Sequence, residues 1–184
     1  MKPLLTGIGS LSALALIGWL TLGAQSPHTP ANSTHKVEPK PAQDQGKSMP
    51  EKVVKSNEEW KEELPYASFC VARLGQTEQP FNNKYWDHHE KGVYKCVACG
   101  TPLFSSATKF ESGSGWPSYF QPIDEDRVEI KIDRSHGMVR EEVVCATCDS
   151  HLGHRFPDGP PPTGIRYCIN SAALDFEPTK DAEK

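Results

Sequence analysis

Positive charge is scarce where a nucleic-acid binder would need it. The 184-residue chain carries 20 Lys and Arg against 24 Asp and Glu, a formal net charge of −4. Residues 57–184 alone hold 14 basic against 21 acidic side chains. No basic face is left to displace phosphate counterions, so nucleic acid is excluded as a partner. Cysteine is thin too: six in the chain, far below the density of a disulfide scaffold. Hydrophobic residues reach 36%, less than the usual globular share but enough for one modest core. Internal repeats are missing, and the length suits one domain plus extras rather than two full domains. Aromatic residues are absent from 26 to 56, a stretch with five prolines. Such a segment buries too little apolar surface to offset its ordering entropy, so residues 25–56 are expected to be a disordered linker.

Charge is also missing from Pro3 to Ala24, directly after Lys2, and Leu11 to Leu20 is the most apolar run of the chain. Residues 1–24 therefore read as a targeting segment. Leu22-Gly-Ala24 offers small residues for signal cleavage, while the uncut length approaches the roughly 20 residues that span a bilayer. Signal peptide and retained N-terminal anchor both stay open. Either one exports the domain at 57–184, and the expected location is the periplasm of a bacterial envelope, free or membrane-tethered.

At Asn57 the texture changes. Asn57-Glu-Glu-Trp-Lys-Glu-Glu-Leu64 begins with a capping residue and continues with helix formers, so one or two short helices are expected before Gln79. From Gly92 onward the pattern is that of strands. Val128-Glu-Ile-Lys-Ile-Asp133 alternates at period two, and Met138–Val144 returns after Ser135-His-Gly, which predicts a hairpin. Ile165, Tyr167 and Ile169 share one strand face, and Arg166, Cys168 and Asn170 the other. The fold class is mainly β, antiparallel, with peripheral N-terminal helices.

Four cysteines form two copies of one device: Cys96-Val-Ala-Cys99-Gly100 and Cys145-Ala-Thr-Cys148-Asp149. Two residues between thiolates let a tight turn aim both sulfurs at one ion, and two such turns complete a tetrahedral structural Zn²⁺ site. The turns lie 45 residues apart, so the ion would tie together distant parts of the domain. Two disulfides are the competing reading, because exported thiols tend to oxidise.

Cys70 and Cys168 remain. Cys168 has Arg166 and Asn170 on its own strand face, and a neighbouring cation favours the nucleophilic thiolate, so a low thiol pKa is expected. An inert core cysteine is the plain alternative. In His151-Leu-Gly-His154 the two imidazoles would oppose each other on a regular strand, but Gly153 permits a bend that could join them. Histidine is the natural proton donor near neutral pH. Trp116 stands in the Gly-rich loop Ser112-Gly-Ser-Gly-Trp-Pro-Ser118, as a binding wall or a core plug.

Together these residues resemble the B-type methionine sulfoxide reductases, which reduce the R epimer. The matching stretches are Gly75-Gln-Thr-Glu-Gln-Pro-Phe81, Gly92–Phe104, Lys109–Ser118, Ser135-His-Gly-Met138, His151-Leu-Gly-His154, Phe156-Pro-Asp-Gly-Pro160 and Arg166-Tyr-Cys-Ile-Asn170. They cover about residues 57–177. The resemblance implies two antiparallel sheets in an open barrel-like domain. It implies Cys168 as the nucleophile on the sulfoxide sulfur, His154 as the acid, and His151 and Asn170 as positioning groups. Trp116 would be the wall for the substrate's S-methyl group and Arg166 the thiolate stabiliser. Cys96, Cys99, Cys145 and Cys148 match the zinc-bearing members. The implied substrate is oxidised methionine, free or in proteins, and the implied reductant is a small thiol or a thioredoxin-like protein.

The chain departs from the pattern at two places where relatives carry a second, resolving cysteine: it has Ser114 and Asn82 there. The remaining candidate for that role is Cys70, in a stretch read as helical. A zinc-ribbon-like binding module and a disulfide exchanger are the rival classes.

Overall fold

The computed structural model describes residues 51–179. The leader read at 1–24 and most of the linker lie outside the described residues. Among those described, no helix is long and apolar enough to cross a membrane.

Two short helices come first, as the capping signals suggested. Helix α1 (Asn57–Glu63) starts on a capping box in which the Ser56 side chain accepts from the Glu59 backbone and the Glu59 carboxylate accepts from the Ser56 N–H. Its one buried residue is Trp60, with Lys55 Nζ 4.7 Å from the ring centre. Helix α2 (Tyr66–Leu74) ends on Gly75, whose left-handed conformation (φ 66°) lets the chain turn away. Residues 51–56, ahead of the boundary read at 57, also contact the domain. They run extended along the domain, with the Val53 N–H donating to Thr147 O at 2.8 Å and Lys52 paired with Asp149 at 3.0 Å. Val53 packs against the core, an apolar anchor that the linker's proline-rich composition conceals.

Nine strands follow: β1 (Gly92–Cys96), β2 (Pro102–Ser105), β3 (Lys109–Phe110), β4 (Ser118–Tyr119), β5 (Val128–Asp133), β6 (Arg140–Cys145), β7 (His151–Phe156), β8 (Arg166–Ile169) and β9 (Leu174–Pro178). They form two antiparallel sheets, ordered β2-β1-β9 and β3-β4-β8-β7-β6-β5. The sheets do not close into a barrel. The expected hairpin is β5–β6, in register from Val128↔Cys145 to Asp133↔Arg140.

The core lies where the sheets meet and is largely aromatic. Tyr94 and Phe104 of the small sheet meet Tyr119 and Tyr167 of the large one, with Phe104 stacked on Tyr119 at 4.4 Å between ring centres. All four side chains are essentially buried. Rings of this size bury much apolar area per residue, which suits a chain with a low hydrophobic share.

The alternation read along β8 is realised. Tyr167 and Ile169 are buried in the core, while Arg166 and Cys168 lie on the opposite, half-exposed face. That face carries the site.

Candidate active site and four-thiol centre

The two Cys-x-x-Cys turns fold alike. Gly100 N donates to Cys96 O and Asp149 N to Cys145 O, and both Gly100 (φ 74°) and Asp149 (φ 57°) adopt the left-handed conformation. The four Sγ atoms lie within 4.8 Å of one another. Cys96–Cys148 and Cys99–Cys145 are each 3.6 Å apart. Metal–sulfur bonds of about 2.3 Å imply tetrahedral edges of about 3.8 Å, so the cluster fits a single ion. All six cysteines are free thiols, which speaks against the two-disulfide reading. Hydroxyls surround the sulfurs: Thr101 Oγ1 is 3.1 Å from Cys99 Sγ, and Ser150 Oγ is 3.2 Å from Cys148 Sγ. Cys96, Cys99, Cys145 and Cys148 could thus hold one metal ion.

The second constellation is built on the β7–β8 ladder, where His154 stands opposite Cys168. A cavity of about 130 Å³ is lined by Cys168, His154, Trp116, Asn170, Phe156 and Arg140 among others. Trp116 is therefore a wall rather than a core plug. Its indole N–H donates to Glu78 O at 3.2 Å, which fixes the ring at the rim.

The bend expected at Gly153 takes the form of a bulge. Val143 pairs with Gly153 but Val144 with His151, so Leu152 is the extra residue and the strand changes face. The two imidazoles come to 5.4 Å between ring centres. Glycine is needed here because a Cβ at position 153 would run into the Cys168 carbonyl oxygen. The histidines are not equivalent. His154 lines the cavity beside Cys168 and also a neighbouring one, whereas His151 lines only the neighbour, with Glu142. His154 Nε2 is 2.8 Å from Asp133 Oδ2, and His151 Nδ1 is 2.6 Å from Glu142 Oε1.

Arg166 forms a two-pronged pair with Asp158, both contacts at 2.9 Å. The expected low thiol pKa is not what this arrangement yields. Burial pushes the Cys168 thiol up, and this outweighs the hydrogen bond from Ser114 and the charge of Arg166, which pull it down. Burial also lowers the pKa of His154, against the opposing hydrogen bond to Asp133. Both shifts favour a protonated thiol beside a neutral imidazole near neutral pH.

Asn170 is held at both ends of its amide: Nδ2 donates to Leu152 O at 3.1 Å, and Oδ1 accepts from the Glu78 N–H at 3.2 Å. Cys70 is only 7% exposed and is not among the residues lining the Cys168 cavity. Ser114 Oγ, by contrast, lies 3.9 Å from Cys168 Sγ. Asp133, Glu142, Asp158 and Glu78 escaped the sequence reading. Each acts through a partner 8 to 93 positions away, and no local pattern reports such pairings.

A part-buried thiol opposite a carboxylate-held histidine, in an antiparallel β domain that also carries a four-thiol knuckle, fits the class of the oxidoreductases. Residues 64–178 match the model of the SelR domain, and the chain belongs to that family. It is 58% identical over 133 residues to the peptide methionine sulfoxide reductase MsrB of Herminiimonas arsenicoxydans, covering 72% of this chain and 97% of that protein. The MsrB of Pseudomonas savastanoi pv. phaseolicola is 57% identical over 70% of this chain and 98% of its own length. For that of Agrobacterium fabrum the identity is 54%, over 69% and 94%.

Proposed function

We propose that this protein reduces the R epimer of methionine sulfoxide to methionine, using Cys168 as the nucleophile. The observation that carries the reading is the cavity shared by Cys168, His154 and Trp116, in a chain of the SelR family. Cys168 sulfur attacks the sulfoxide sulfur. The oxygen passes to Cys168 as a sulfenic acid and methionine departs. Attack is eased when the sulfoxide oxygen is protonated, and His154 is the donor. With Nε2 engaged by Asp133, Nδ1 is the nitrogen that serves the substrate.

The resting protonation states fit this economy. The step consumes no net proton, because the one lost by the Cys168 thiol equals the one gained by the oxygen. A neutral His154 can take the first and deliver the second. Arg166, held by Asp158, stabilises the thiolate as it forms. Trp116 offers its ring to the sulfur and methyl of the substrate. His151 and Asn170 position the site.

The four-cysteine centre fits Zn²⁺ in a structural role, joining the β1–β2 turn to the β6–β7 turn. An external thiol, small or thioredoxin-like, reduces the sulfenic acid, since Cys70 is buried in α2. The apolar leader supports a role in repairing oxidised methionine in the bacterial envelope, with the domain free in the periplasm or tethered to the membrane. The deciding experiment is an assay of both sulfoxide epimers with a chemical dithiol. Turnover of the R epimer alone is expected, and equal turnover of both or of neither would remove the reading.

A further inference from the structure

The Cys168 pocket, at about 130 Å³, suits a single side chain. A second cavity of about 330 Å³ adjoins it, and Thr77, Arg140 and His154 line both. The two spaces therefore meet across those three side chains. A substrate that fills the first pocket lies at the edge of the second.

The walls of the second cavity hold polar capacity that the fold leaves unmet. Two carboxylates, Asp133 and Glu142, stand there against one guanidinium, Arg140. Arg140 is already engaged by Asp133 at 2.6 Å, and Asp133 also takes His154 and the Ser135 N–H. Glu142 is different. Its Oε1 meets His151 Nδ1 at 2.6 Å, and its Oε2 has no partner among the described residues. A carboxylate accepts only, so the His151 proton sits on Nδ1 and the other ring nitrogen is left to accept. That nitrogen, Nε2, is buried without a partner. Buried polar atoms are nearly always paired, so an orphan beside a half-free carboxylate marks a place for a ligand's donor. Leu74, 50% exposed, adds an apolar edge to the same cavity.

We propose that this cavity seats a basic side chain, lysine or arginine, lying within two positions of the methionine sulfoxide in a polypeptide substrate. The inference rests on the sulfoxide-reductase reading and adds to it a preference among protein-bound substrates. Consecutive Cα atoms are about 3.8 Å apart, so a residue this near stays within reach of the adjoining space. The aliphatic stem of the basic residue lies along Leu74, as such stems do on apolar surface. Its charged head donates to Glu142 and to His151 Nε2, and a charge-assisted bond of this kind is among the stronger ones. An acidic neighbour meets Glu142 as a like charge and is disfavoured. Free methionine sulfoxide has no such residue and leaves the cavity empty.

The test uses the full chain, a chemical dithiol and R-epimer peptides with one sulfoxide in an alanine background. A single guest residue (lysine, norleucine or glutamate) is placed one, two or five positions from the sulfoxide. At the best near position, kcat/KM for lysine is expected to exceed that for norleucine by about tenfold, with glutamate lower still. At five positions the advantage should vanish, which separates the cavity from attraction to the acidic domain as a whole. Glu142→Gln removes the charge at similar shape. Its looser hold on His151 slows every peptide, but the ratio of lysine to norleucine should fall close to one. Near lysine no better than norleucine, an advantage that persists at five positions, or an unchanged ratio in Glu142→Gln overturns the proposal. If that variant fails to fold, the peptide series on the unmodified chain decides alone. Turnover of none of the peptides would instead strike the reductase reading itself.

Discussion

His154 and Cys168 stand directly opposite each other across the β7–β8 ladder, and the carboxylate that holds His154 belongs to neither strand. Asp133 supplies it from the end of β5, where it also closes the β5–β6 hairpin on Arg140 at 2.6 Å. The hairpin that looked purely structural in the sequence thus sets the orientation of the proposed acid.

Removing either member of the pair should separate chemistry from folding. Cys168→Ser is expected to abolish reduction of the R epimer, with the unfolding midpoint little changed. His154→Ala should lose roughly 10²–10⁴-fold in kcat/KM, the range of a general acid. Near-normal turnover in either variant would reassign the role.

Burial holds the resting Cys168 thiol above its ordinary pKa of 9.0. Alkylation of Cys168 by iodoacetamide should therefore be slow at neutral pH and climb as the pH rises above about 9. Arg166→Ala removes a charge that opposes the shift, so it should move the climb to still higher pH. A fast neutral reaction at Cys168 would show that the thiolate is already formed at rest.

Glu78 holds three parts of the site together. Its carboxylate accepts from the Ser171 and Ala172 N–H groups, its own N–H donates to Asn170, and its carbonyl receives the Trp116 indole. Glu78→Gln places an amide donor against one of those N–H groups. A hydrogen bond to a charged group contributes about 1.5–3 kcal/mol to stability, so Tm should fall, and kcat/KM should fall with the loosened site. Glu78→Ala should fall at least as far, and steady-state kinetics with an intact far-UV spectrum checks both.

Metal removal should unfold the domain rather than merely silence it. The centre joins β1 to β6 across 49 positions between Cys96 and Cys145, and metal binding of this kind is coupled to folding. Elemental analysis should find one zinc per chain. Cys96→Ser or strong chelation should lower Tm markedly. Zinc-free protein of unchanged Tm would show that the cluster is not a structural metal site.

The Asp133 carboxylate accepts from Ser135, His154 and Arg140, which holds its pKa well below the aspartate value of 3.8. A depressed native pKa contributes stability that is present above the unfolded value and is lost as pH falls from there through the native value. The acid limb of the stability curve should therefore fall below about pH 4. Asp133→Asn should flatten that limb and lower Tm at neutral pH. Identical acid limbs in the two proteins would rule this contribution out.

Local chemistry was the legible part. Period-two alternation marked β5 and β8, since strand residues alternate faces whatever lies beyond them. The Cys-x-x-Cys turns could be read because each knuckle closes within five residues. Trp116, Cys168 and both histidines stood out by residue type and setting. Val53 could not be recognised as an anchor, because its partner Thr147, in the turn after β6, lies nearly a hundred positions away.

The amino-acid sequence by itself determined the antiparallel β class, the four metal-competent thiols and the strand face that carries Cys168. Each of these follows from spacing along a single strand or turn. Tertiary structure alone decided which histidine meets Cys168, through the bulge at Leu152. It also brought Asp133, Glu78 and Ser114 to the site and set the direction of the Cys168 pKa. Those outcomes depend on burial and on through-space partners. Desolvation grows with the number of atoms packed around a group, and most of those atoms belong to residues far from it in the chain.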